Sequence, residues 1–137
     1  MTALYRYLYT STLAESGPAC IPRILRTAKY NNFVLGLTSL LIFDGLQFCH
    51  YLEGDKDTLD SLLQRIILDA RHSQVKILAQ GKLDNGRRFP DWPVAFALTE
   101  QPEALDIFAE STEESPFAIL ESLLPTLDFG HLPFSKR

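Results

Sequence analysis

Several features that would announce a chemistry are scarce in this sequence. There are two cysteines, Cys20 and Cys49, without metal-ligand spacing. In a reducing compartment both stay thiols, and a buried structural role is the default. No apolar run approaches the length of a membrane span, so no membrane partner is expected. The opening residues Met1 to Arg6 lack the basic-then-apolar order of a secretion signal, which predicts a cytoplasmic protein. Basic residues do not dominate either. A formal charge of −4 leaves no footprint for nucleic acid as a direct partner. Repeats and low-complexity segments are missing, and 137 residues predict one ordinary domain with no separate output domain.

What is present is a normal globular composition, 46% hydrophobic and 22% charged, with clear local periodicity. Residues 4–10 alternate as a strand that puts Tyr5, Tyr7 and Tyr9 on one face. Pro22 suits a first helical turn, and Ile21, Ile24, Leu25 and Ala28 extend a helix over about 20–31. Apolar runs Leu37–Phe43 and Leu46–Leu52 flank Asp44-Gly45, a strong hairpin signal. Leu59, Leu62, Leu63, Ile66, Ile67 and Ala70 form the stripe of a second helix. Strands are expected over Val75–Leu83 and near Val94–Leu98, then short helices at Pro102–Glu110 and Glu114–Leu124 and a frayed tail, Gly130–Arg137.

The order βαββαββ predicts an α+β, ferredoxin-like sheet with two long helices on one face. Residues 1–98 would form the domain, 99–127 a helical extension and 128–137 a tail. Phe117, Leu120, Leu123 and Leu124 share a helical stripe, which either packs within the chain or supports a homo-oligomer.

Seven segments in this order resemble the BLUF family of blue-light sensors that use flavin adenine dinucleotide (FAD). They are Tyr5-Arg-Tyr-Leu-Tyr-Thr-Ser11, Ala28-Lys-Tyr-Asn-Asn32, Gly36-Leu-Thr38, Leu52-Glu-Gly54, Arg65-Ile66, Asp69-Ala-Arg-His72 and Arg88-Phe-Pro-Asp-Trp92. The resemblance covers about residues 4–98. The resemblance implies non-covalent FAD, its ring between the two long helices and its edge toward the central strands. It also implies output through an unidentified regulatory protein rather than an enzymatic activity.

By resemblance, Tyr9 is the electron-donating tyrosine; a core tyrosine on an aromatic strand is the plainer reading. Asn32 matches the asparagine on the ring's C4 carbonyl and N3–H, and Asn31 its neighbour packed on the ring; helix capping also explains asparagine there. Arg65 matches the residue aimed at the C2 carbonyl, or is the polar flank of its helix. Arg71 and His72 suit a helix C-terminus electrostatically, with the ribityl or phosphate end as the alternative. Trp92 matches the tryptophan whose side chain lies in or out of the flavin pocket. Val94 stands where methionine is common, and Ser39 where glycine is frequent.

The departure that matters is His50, at the position of the family's photochemical glutamine. Gln47 lies on the other face of the same strand, and only a bulge would bring it round. Imidazole can pass a proton but cannot exchange carbonyl and amide faces by rotation. Two outcomes stay open: a sensor with an altered light reaction, or a BLUF-derived interaction module without a working switch, with or without flavin. An acylphosphatase-like hydrolase on the same plan is disfavoured, because the loop Ser11–Ala19 has no arginine and is not glycine-rich.

Overall fold

The computed structural model describes residues 3–13, 21–69, 72–110 and 114–129. Five strands, β1 (Leu4–Leu13), β2 (Thr38–Phe43), β3 (Gln47–Asp55), β4 (His72–Lys82) and β5 (Ala95–Leu98), form one sheet in the order β4-β1-β3-β2-β5. The first four pair antiparallel and β5 joins β2 in parallel, so the ferredoxin-like expectation holds with one added edge strand. Helices α1 (Ile21–Leu35) and α2 (Lys56–Leu68) lie on one face.

The period of two sorts the core as the sequence predicts. Tyr7, Tyr9, Phe48, Leu52, Leu41 and Phe43 face the long helices, meeting Ile24 and Leu25 of α1 and Leu59, Leu62 and Leu63 of α2. Leu8, Leu40, Ile42, Cys49 and Tyr51 face the other way. There a 3-10 helix (Ala104–Ala109) and α3 (Pro116–Leu123) cover them through Leu105 and Leu120, with Phe108, Phe117, Leu123 and Leu124 packed alongside. Burying a leucine such as Leu120 contributes about 2 kcal/mol. The Phe117–Leu124 stripe is therefore used within the chain. Asp128 pairs with Leu98 through two backbone hydrogen bonds of 2.9 Å, so order extends past the expected start of the tail, whose Gly130–Arg137 portion lies outside the described residues.

Several element boundaries need correction. α1 runs to Leu35, not to about 31, because Gly36 stops it: its φ of +72° lets Gly36 N–H reach Phe33 O and Leu37 N–H reach Asn32 O. Asn32 consequently sits in the last turn and is not the cap. The hairpin turn centres on Gly45-Leu46, one residue later than expected, because Asp44 closes it by donating its N–H to Gln47 O while its carboxylate accepts from Leu46 and Gln47 N–H. β3 continues to Asp55, whose side chain then caps α2 at Thr58 N–H. Ile67 is half exposed, leaving the α2 stripe narrower than predicted, and Ala70 lies outside the described residues. The segment expected as a helix over Pro102–Glu110 is the shorter 3-10 helix.

The fully buried carboxylate of Glu53 organises the loop that leads to β5. It accepts from Thr38 Oγ1 (3.1 Å), Tyr51 OH (2.8 Å), Arg88 N–H (2.5 Å) and Phe89 N–H (3.0 Å). Arg87 bonds to Thr38 Oγ1, Glu53 O and Gly36 O, adding a second tie to the same strands. No described helix is long and apolar enough to cross a membrane.

Candidate functional site

Between α1 and α2 lies a cleft of about 90 Å³ whose floor is the sheet. The helices supply its walls by i, i+3, i+4 spacing: Ile24, Thr27, Ala28, Asn31 and Asn32 from α1, and Leu62, Arg65 and Ile66 from α2 with Asp69 just beyond. Tyr9, Leu41 and His50 close the bottom. The cleft thus brings together five of the residues singled out in the sequence, Tyr9, Asn31, Asn32, His50 and Arg65. Asp69, which the sequence reading did not single out for the site, also lines it, and the spacing 62, 65/66, 69 carried that signal.

Strand pairing sets Tyr9 directly opposite His50 on β3, and Leu41 flanks His50 from β2. A register shift in the β1–β4 pairing between Leu8 and Tyr9 bends the strand at this point. The Tyr9 hydroxyl and His50 Nδ1 are 2.8 Å apart, with the rings edge to face. Tyr9 is 2% exposed and His50 4%, so this contact lies away from solvent. Gln47 is on the opposite face, where its amide donates to Asp106, so it does not enter the cleft.

Asn32 is 1% exposed. Its Nδ2 donates to Ser39 Oγ (2.9 Å) and to Pro93 O (2.6 Å), and Ser39 Oγ donates to Pro93 O (2.9 Å). Arg65 stands exposed at the rim. Trp92 is not among the lining residues; it stacks on Phe89 (5.6 Å, 6° between planes) and meets Phe129. Val94, by contrast, packs on the α1 side with Leu41 and Phe96. Arg71 lies outside the described residues, as does the side chain of His72, so neither has a described place at the cleft.

Burial pushes the Tyr9 phenol well above the usual tyrosine range, reinforced by Cys49 and Asp69. Tyr51 moves the same way, first through burial and then through Glu53, and Tyr7 is pushed up to about 12 by burial and its hydrogen bond to Asp60. In all three the folded state resists ionisation. Stability is then fully present below the ordinary tyrosine value and is lost as pH rises above about 10, because the unfolded chain releases protons first. Tyr9 and Tyr51, the two whose hydroxyls lie deepest, give a slope of up to about 3 kcal/mol per pH unit above about pH 10. Absorbance at alkaline pH should show these tyrosines ionising together with unfolding; their smooth titration in the folded chain would contradict the burial.

A split βαβ sheet with a cleft between its two helices, a phenol–imidazole pair on the floor and carboxamides on the wall, defines a ferredoxin-like module with a candidate ligand cleft. Residues 4–95 match the family described as "Sensors of blue-light using FAD". The chain is 26% identical to the BLUF protein BlrB in its dark-state structure, with a TM-score of 0.77 covering 90% of this chain and 96% of that one. Against BlrP1 of Klebsiella pneumoniae with FMN and cyclic diGMP, identity is 28% and the TM-score 0.68, covering 87% of this chain and 34% of that one. It is 31% identical over 94 residues to the photoactivated adenylate cyclase subunit beta of Euglena gracilis, 66% of this chain but only 11% of that protein. The chain belongs to the BLUF family, a flavin-binding photoreceptor family, and its match is to the sensor module rather than to a catalytic domain.

Proposed function

We propose that the chain binds FAD non-covalently in the α1–α2 cleft and acts as a sensory or regulatory protein through protein contacts, with a light reaction altered by His50. The residues present suit the cofactor: apolar walls for a planar ring, carboxamides for its polar edge, and the Arg65 cation near the rim to balance negative charge on it. When bound, flavin supplies light absorption and one-electron chemistry. Asn31 and Asn32 would hold the ring from α1 and Arg65 from α2, with Arg71 and His72 assigned to the ribityl or phosphate end on resemblance alone.

The observation that carries this reading is the 2.8 Å contact between Tyr9 and His50 on the cleft floor. Tyr9 keeps its proton, so its O–H can donate to Nδ1 when the imidazole hydrogen is on Nε2. Loss of an electron from the phenol would release that proton to Nδ1. The imidazole can hold it or hand a proton on, but it cannot turn an amide donor toward the ring.

The expected spectrum of the purified protein is therefore that of bound flavin, without the reversible red shift under blue light that a rotating glutamine provides. His50→Gln is expected to gain that shift. A reversible red shift in the unsubstituted protein would overturn the altered light reaction. Failure to retain flavin after adding FAD would overturn the cofactor, and chromatography of the released flavin separates FAD from FMN.

A further inference from the structure

We infer that Ser39 is a positioning residue that holds the Asn32 carboxamide so that it presents only its acceptor oxygen to the cleft. The inference rests on the cofactor reading for its ligand, but its geometry stands without one. Asn32 lies in the last turn of α1, and its backbone carbonyl is fixed by Leu37 N–H. Its side chain reaches over to β2 and the loop before β5, where Ser39 is fully buried and Ser39 N–H bonds to Trp92 O at 3.0 Å.

Which end of the amide faces which partner is decided by chemistry. Pro93 O is a pure acceptor, so the amide atom 2.6 Å from it must be a donor. An oxygen placed there would set two carbonyl lone pairs against each other. The second amide hydrogen goes to Ser39 Oγ, whose own hydrogen goes to Pro93 O. Both contacts keep the Nδ2 end of the amide turned toward the protein. Oδ1 is left as the group available to a ligand, and it can only accept. A lactam or imide N–H suits it; a ring carbonyl does not.

For a flavin this selects N3–H as the partner of Asn32 and withholds the amide donor from the C4 carbonyl. With His50 lacking a carboxamide, neither residue then brings an amide donor to that oxygen. Removing the Ser39 hydroxyl would free one Nδ2 hydrogen to turn toward the cleft.

Side-chain amide NMR of the full chain without added FAD tests the geometry directly. Both Asn32 Nδ2 hydrogens should be slow to exchange, and Ser39→Ala should release one of them at least tenfold. Ser39→Thr, which keeps the hydroxyl, should restore it. Freely exchanging hydrogens in the unsubstituted protein, or no change in Ser39→Ala, would overturn the inference. With FAD bound, Ser39→Ala and Ser39→Gly should lower the C4 carbonyl stretching frequency and move the visible band to the red, and Ser39→Thr should reverse both. An unchanged carbonyl frequency overturns the positioning role, since a merely structural serine would alter stability alone. Failure of FAD to bind would sink the cofactor reading and leave the exchange measurement to decide this one.

Discussion

Replacing Tyr9 with phenylalanine is expected to abolish the light-driven chemistry of the flavin-loaded protein while leaving the flavin bound. Among the described residues lining the cleft, Tyr9 is the only phenol and no indole is present, since Trp92 stacks elsewhere on Phe89. No second electron donor of comparable quality therefore touches the site. The phenol hydroxyl contacts His50, so its removal takes little from flavin affinity. The cost to folding is that of one buried hydrogen bond, about 1 kcal/mol. The diagnostic measurement is flavin fluorescence with transient absorption. Tyr9→Phe should lengthen the excited-state lifetime and remove any transient that follows electron transfer. Unchanged quenching would mean that another residue donates, and the Tyr9–His50 contact would lose its place as the reactive centre.

The parts of this site readable in the sequence are those fixed by a short period. Alternation along β1 and β3 put Tyr9 and His50 on the helix side and Gln47 on the other, and register then brought the first two together. Asn31 and Arg65 were assigned by resemblance, and the helices carry them to facing walls. What stayed illegible depends on contacts between distant residues. Nothing local to Ser39 announces that its hydroxyl meets Asn32 and the carbonyl of Pro93, 54 residues later. Trp92 was placed by motif, but Pro93 breaks the alternation before β5, so Trp92 joins the Phe89 side while Val94 turns toward α1. Glu53 directly follows the apolar run Leu46–Leu52, and nothing local marks it as buried. Two of the four donors that satisfy its buried carboxylate arrive from Arg88 and Phe89, which the sequence gives no means to locate.

That buried carboxylate yields the largest expected effect on stability. Glu53→Ala removes the acceptor shared by Thr38, Tyr51 and the N–H groups of Arg88 and Phe89. The two hydroxyls can turn to other acceptors; the two backbone N–H groups cannot, and each buried orphan costs about 1–3 kcal/mol. A total loss of about 3–5 kcal/mol is expected, large against the stability of a domain this size. Glu53→Gln should cost less, because one acceptor oxygen remains, yet it sets an amide N–H₂ against the N–H of Arg88 or Phe89. Urea unfolding should show the midpoint falling in the order Glu, Gln, Ala with the slope unchanged. The loop held by Glu53 also carries Arg88, which pairs with Glu121 of α3 at 3.2 Å, and Trp92, whose carbonyl is bonded to Ser39 N–H. One anchor thus ties the wall of the cleft to the helical cap on the opposite face. In Glu53→Gln, amide exchange should rise in residues 87–94 and in α3 together. A rise confined to the loop would show that the cap is held by its apolar contacts alone.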